Sequence, residues 1–242
     1  MIIERIKRRI DPNMFITPQT TPIVFFGNYD KSKVCTISLN PSDKEFIDNS
    51  NDLLDFKNNE RLCSRKKLRR NDNEELTDDE ANAVLKYCNE YFKVHPYKGW
   101  FDPLDYFIKH FGNYSYYDDT CVHLDLVQWA TTPKWNDVPQ NIRQRHLNND
   151  LPVLKYLLNK DFEVMFLNGK TVVDNVAQCL DLNIKSKNTV FKNSNGKESE
   201  LYIYYGEYNS IKIVGWNLYL QSAAVGGYEN KSILCKIIKG NL

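Results

Sequence analysis

The sequence predicts an α/β fold, built on a short, mainly parallel sheet with helices on both faces. Three observations carry that expectation. Apolar, β-branched runs alternate with helix-like stretches, in the order strand, helices, strand, helix, strand, helix, hairpin, strand, helix. Several strands end on a polar residue, and in open α/β sheets the carboxyl edge is where ligands bind. The length, 242 residues, is enough for one large domain with a real core.

Each element has a local reason. Residues 22–27 (PIVFFG) read as a first strand and residues 34–39 (VCTISL) as a second, joined by a turn at Asn28-Tyr29-Asp30-Lys31. Residues 43–75 are polar and charged, and predict a surface insertion. Thr77-Asp78-Asp79-Glu80 is a capping box that opens a helix to about residue 92. Asp102-Pro103 starts a short helix that Gly112 ends. Residues 120–127 read as a strand. A helix opens at Pro139, is interrupted or restarted at Pro152, and ends near Lys160. Residues 162–167 are the next strand, and Asn168-Gly169 leads into a helix to about residue 182. Asn195-Gly196 signals a hairpin between 189–192 and 201–205. A last core strand covers 211–216, and a closing helix 229–238. No repeat, low-complexity tract or linker interrupts the chain, so residues 1–242 read as a single domain.

Composition narrows the function classes. The net charge is +1, so any nucleic-acid contact must come from local patches and helix ends. No apolar run is long enough to span a bilayer, and the first residues lack the apolar core of a signal peptide. The six cysteines are scattered with no C-x-x-C pair, which predicts reduced thiols in a cytoplasmic protein. The four histidines are scattered too, so a zinc site is not expected, and no other metal or cofactor is called for. Gly169-Lys170-Thr171 lacks the glycine a phosphate loop needs five residues earlier, where Val164 stands.

The polar strand ends are Ser38-Leu39-Asn40-Pro41-Ser42, Leu124-Asp125-Leu126, Leu167-Asn168-Gly169 and Gly215-Trp216-Asn217. Over roughly residues 22–238, these motifs resemble the uracil-DNA glycosylase superfamily. The first stands for that family's G-x-[DN]-P loop. Leu124-Asp125-Leu126-Val127, with the following Thr-Thr-Pro-Lys-Trp loop, stands for the strand end that reads the base. Asn217-Leu218-Tyr219-Leu220-Gln221-Ser222 stands for the H-P-S-P-type loop that enters the minor groove, with asparagine where the family has histidine.

The resemblance implies a three-layer α/β/α sandwich and a monofunctional DNA N-glycosylase. Asn40 and Asn217 would be its catalytic residues, the first holding the water and the second donating to the charged base. Asp125, Phe46, Asn168 and Trp129 are the base-binding candidates. Ser42, Lys170, Tyr219, Leu220, Gln221, Ser222, Arg69 and Arg70 are the DNA-contacting ones. Phe56 rivals Phe46 as the stacking ring, and Trp135 stands beside Trp129 as a pocket wall. Tyr219, Leu220 or Gln221 would fill the hole left by a flipped base.

Asp125 bears on the substrate. A carboxylate accepts from the exocyclic amine of cytosine, and a protonated acid satisfies its ring nitrogen as well. Uracil suits an amide instead. The expected substrate is therefore DNA carrying a modified cytosine, and one branch of the superfamily removes glucosylated hydroxymethylcytosine from phage DNA in antiviral defence. Two alternatives stay open: a uracil or mismatch glycosylase of repair, and a nucleic-acid-binding module without catalysis. A monomer is expected. Each candidate also has a plain structural role open to it: a turn cap for Asn40 and Asn217, a cap or ion pair for Asp125, and core packing for the aromatic rings.

Overall fold

The computed structural model describes residues 1–55 and 59–242. In chain order the helices and strands are α1 (Ile2–Ile6), β1 (Val34–Ser38), α2 (Asp78–Glu90), α3 (Lys98–Gly112), β2 (Cys121–Asp125), α4 (Gln140–Leu157), β3 (Val164–Asn168), α5 (Lys170–Leu180), β4 (Lys185–Lys192), β5 (Glu198–Tyr208), β6 (Ile211–Trp216) and α6 (Tyr228–Asn241). They fall into two compact units. Met1–Tyr29, Leu39–Tyr97 and His123–Lys160 form the first, and Asp30–Ser38, Lys98–Val122 and Asp161–Leu242 the second. The stretches of the two units alternate along the chain.

The second unit carries the sheet, in strand order β2-β1-β3-β6-β5-β4, with β2 ending in the first unit. β1, β3 and β6 are parallel, and the β4–β5 hairpin extends the sheet antiparallel to β6. Helices cover both faces of this sheet. Phe107 of α3 packs on Trp216 with ring centroids 4.3 Å apart, and Phe111 packs on Phe166 at 5.0 Å. The neighbouring Gly215 faces the other way, because side chains alternate along a strand. A Cβ there would lie 2.9 Å from Val173 Cγ2 of α5, so glycine is what lets α5 approach β6 closely. The arrangement is the expected three-layer α/β/α sandwich around the sheet.

The first unit is helical and irregular. Its apolar cluster includes Ile10, Met14, Ile16, Val127, Trp129, Trp135, Val138 and Ile142. Residues 22–27, expected as a strand, are not one. Their apolar side chains are buried, but Ile23, Phe26 and Gly27 donate to Gln128, His123 and Cys88 in turn, and the only bridge they make among the described residues is Phe26↔His123. Backbone donors with three scattered partners make a packed irregular segment rather than a ladder.

Two helix boundaries also differ. α3 begins at Lys98 and carries Pro103 inside it, and α4 runs unbroken through Pro152. Within the surface insertion expected at 43–75, the described residues are not all at the surface. Phe46, Ile47, Leu54, Leu62 and Cys63 are buried, and Arg65 is 0% exposed. Its guanidinium donates to the carbonyls of Arg8 (2.6 Å), Glu74 (2.7 Å) and Asn71 (3.1 Å), which pins the segment by charge-assisted bonds. Phe56 lies outside the described residues.

Candidate active site

In the first unit, two loops meet. One follows β1 and carries Asn40; the other follows Asp125 at the end of β2. Val127 N donates to Leu39 O at 3.0 Å. The Asn40 amide nitrogen donates to Pro41 O (3.0 Å), Thr131 Oγ1 (3.3 Å) and Trp129 O (3.4 Å). The nitrogen end of Asn40 is therefore turned into the protein, and its Oδ1 accepts no hydrogen bond among the described residues. That oxygen can hold a water.

Asp125 is 3% exposed, and neither carboxylate oxygen has a hydrogen-bond partner among the described residues. The His123 ring nitrogen Nε2 lies 3.5 Å from its Oδ1. His123 and Asp125 stand two residues apart on one strand, so they share a face. The His123 ring lies 5.5 Å from Phe26, which in turn packs edge-on against Tyr91 at 4.8 Å.

A second buried carboxyl faces this group. Glu45, five residues beyond Asn40, is 3% exposed and accepts a 2.6 Å hydrogen bond from the Tyr91 hydroxyl. Tyr91 Oη also accepts from Tyr97 N at 2.9 Å. Burial pushes the Glu45 carboxyl up to about 7; the Asp125 charge adds to the rise, while the Tyr91 hydrogen bond and the Arg61 charge oppose it. Arg61 itself donates to Lys44 O at 3.0 Å and lies over the Tyr97 ring.

Sequence reading missed Glu45, Tyr91 and His123. For His123 the signal was available, in the period-two spacing from Asp125. For Glu45 and Tyr91 nothing local marked the pairing, since 46 residues separate them.

The other first-unit candidates take structural places. Phe46 is 2% exposed, a packed ring in the core. Trp129 is 4% exposed in the apolar cluster, with the Arg5 guanidinium 5.2 Å over its ring, so its face is covered by protein and the base-binding assignment is corrected. Trp135 is 8% exposed in the same cluster. Ser42 caps the short helical turn Asp43–Glu45 through Lys44 N at 3.2 Å. Arg70 pairs with Glu80 at 2.7 Å, whereas exposed Arg69 has no side-chain partner among the described residues.

In the second unit, Asn168 is a latch. Its Oδ1 accepts from Trp216 Nε1 (3.0 Å) and Leu220 N (3.1 Å), and its Nδ2 donates to Gln221 Oε1 (2.8 Å). Gln221 Nε2 donates onward to Trp100 O at 2.7 Å. Asn168 is 2% exposed with every polar atom engaged, which removes it as a base reader. Leu220 is 0% exposed, so it is an anchor of this loop rather than a wedge.

Asn217 is half-buried and bridges the backbone of β5: its Oδ1 accepts from Tyr202 N (2.9 Å) and its Nδ2 donates to Glu200 O (3.1 Å). Its amide thus continues the β6–β5 pairing past Trp216, which corrects the expectation of a free donor. Tyr219 lies on Trp100 with centroids 5.4 Å apart, and Ser222 turns the loop by accepting from Val225 N and Gly226 N. Lys170 pairs with Asp174 at 2.6 Å on the exposed first turn of α5, which follows Gly169 at φ +101°.

Among the described residues, no group of three or more His, Cys, Asp or Glu side chains is placed to hold a metal ion, and no helix is long and apolar enough to cross a membrane. Comparison of the chain with protein-family models and with curated proteins finds no match.

Proposed function

We propose that the chain is a DNA N-glycosylase that excises a modified cytosine and leaves an abasic site, with Asp125 as the residue that reads the base. One observation carries the reading: the Asp125 carboxyl is buried, and neither of its oxygens has a hydrogen-bond partner among the described residues. A native protein rarely buries a polar group unpaired, and such a group points to a ligand. The edge of cytosine offers a matching amine donor.

In the reaction the C1′–N1 bond breaks and its electron pair leaves with the base. A water, held by Asn40 Oδ1, adds to C1′ and releases a proton to solvent, and the departing base takes up one proton. Positive charge on the sugar is characteristic of such a transition state, as in glycoside hydrolysis. Glu45 supports the same site. Its pKa of about 7 leaves it partly protonated at neutral pH, which lowers the negative charge that Glu45 brings to the site. The sequence resemblance extends the substrate to glucosylated hydroxymethylcytosine of phage DNA, and the setting to antiviral defence in the cytoplasm.

The test is incubation with DNA carrying glucosylated hydroxymethylcytosine and, separately, with uracil-containing DNA, each followed by alkali. Strand breaks at the modified cytosines are expected. Breaks on the uracil substrate alone would replace this reading with a repair glycosylase, and no abasic product from either would leave a binding module.

A further inference from the structure

A cavity of about 110 Å³ in the first unit has Arg5, Arg8, Arg9, Asp11, His146 and Asp150 among its lining residues. Three arginines line this one small space, and their charges are unequally balanced. Arg5 is 2% exposed and pairs with Asp150, 1% exposed, at 2.6 Å. Arg5 Nε also donates to Gln128 Oε1 at 3.1 Å. Asp150 is held further by Gln128 N at 2.8 Å, so its charge is matched within the wall. Asp11 pairs with Arg145 at 3.3 Å. His146 bonds Met14 O at 2.7 Å, and burial lowers its pKa, so it adds no positive charge at neutral pH.

Arg8 and Arg9 are left. Both are exposed, and no carboxylate among the described residues pairs with either side chain. Arg8 lies near enough to Arg5 for the two like charges to oppose each other. A rim that gathers unmatched guanidinium groups around a small polar hole is complementary to an anion with several acceptor oxygens.

We propose that this cavity is a phosphate site, in which Arg8 and Arg9 clamp a tetrahedral phosphate against a floor made by the Arg5–Asp150 pair. Arginine suits this role because its planar fork donates two parallel hydrogen bonds to phosphate oxygens. The floor is rigid: Arg5 lies over the Trp129 ring and is bonded to two partners. Two sources supply the same chemistry, the DNA backbone and free phosphate groups such as those of a mononucleotide. The site does not depend on the glycosylase reading, since it asks only for phosphate.

The experiment uses the full chain and the Arg8→Gln/Arg9→Gln double variant. Both positions are on the surface, so the fold is retained. Inorganic phosphate is titrated at constant ionic strength and followed by phosphorus NMR linewidth. Saturable binding to the parent and at least tenfold weaker binding to the variant are expected.

A parallel series measures affinity for a DNA duplex against salt. A slope shallower by about 1–2 in the variant identifies the backbone as the source, at about 0.9 per phosphate contact. An unchanged slope beside lost phosphate binding identifies free phosphate. Equal phosphate binding by both proteins, or none by the parent, overturns the site. Neither arm reads base release, so a failed glycosylase assay leaves this result standing.

Discussion

The Tyr91 hydroxyl donates to Glu45 Oε2 across 2.6 Å, inside a part of the first unit where both residues are 3% exposed or less. The bond ties the loop after Asn40 to the end of α2, and it holds a carboxyl whose pKa burial raises to about 7. Stability should report this directly. A folded-state pKa above the unfolded value of 4.5 means that the native protein keeps the proton longer than the unfolded chain. The native state is then favoured at low pH and loses ground as pH rises from about 4.5 through 7. Urea unfolding at pH 5 and pH 8 should show a loss of up to about 3 kcal/mol attributable to this group, at about 1.4 kcal/mol per pKa unit. Glu45→Gln should remove that component and flatten the difference.

Asp125→Asn separates function from structure. A buried carboxyl whose oxygens find no hydrogen-bond partner among the described residues is a burden on the fold, so replacing it with the amide isostere should raise the unfolding free energy by about 1 kcal/mol or more. The same change should slow release of a modified cytosine by about 100-fold or more, the scale of losing one designed polar contact in a transition state. Calorimetry and the alkali-cleavage assay check the two halves. A variant that is both less stable and equally active would sink the base-reading role.

Asn168→Ala should be a stability mutation. It leaves Trp216 Nε1, Leu220 N and Gln221 Oε1 without their shared partner in a buried place. Each orphaned group costs about 1–3 kcal/mol, less what relaxation recovers, so a total loss of about 2–4 kcal/mol is expected. The urea midpoint measures it. Tryptophan fluorescence gives a second readout, because the Trp216 indole loses its acceptor.

Arg65→Ala tests whether residues 43–75 belong to the body of the first unit. Removing the guanidinium orphans three carbonyls and opens a hole at a fully buried site. A loss of about 3 kcal/mol or more is expected. Limited proteolysis should show new cutting between residues 61 and 76. A change within about 0.5 kcal/mol, with no new cutting, would return the segment to the surface excursion its composition suggested.

Much of the architecture is legible in local pattern. The strand residues 34–38, 164–167 and 211–216 carry apolar, β-branched runs, and the capping box at Thr77 forms with both of its bonds. The hairpin turn at Asn195-Gly196 is where it was expected, although β4 and β5 extend further on both sides. Residues 22–27 misled because apolar character reports burial and not the partner of a backbone N–H. Of the candidate site, Asn40 and Asp125 were visible as polar residues at strand ends. Glu45 was not, because a glutamate in a charged stretch looks solvated until Tyr91 is brought to it.

Periodicity, caps and turn residues act over a few residues, so the strands, helices and hairpin of this chain were written in its one-dimensional order. The state of each polar side chain was not. Asn168 is joined to residues 48 to 53 positions away, and Arg65 reaches 57 positions back to Arg8. Whether such a group is a latch, a cap or a reader depends on which distant atoms desolvate it and which of its lone pairs they fill. Folding alone decides that, and it is why Asn168 and Asn217 are occupied while Asp125 keeps both oxygens without a hydrogen bond among the described residues.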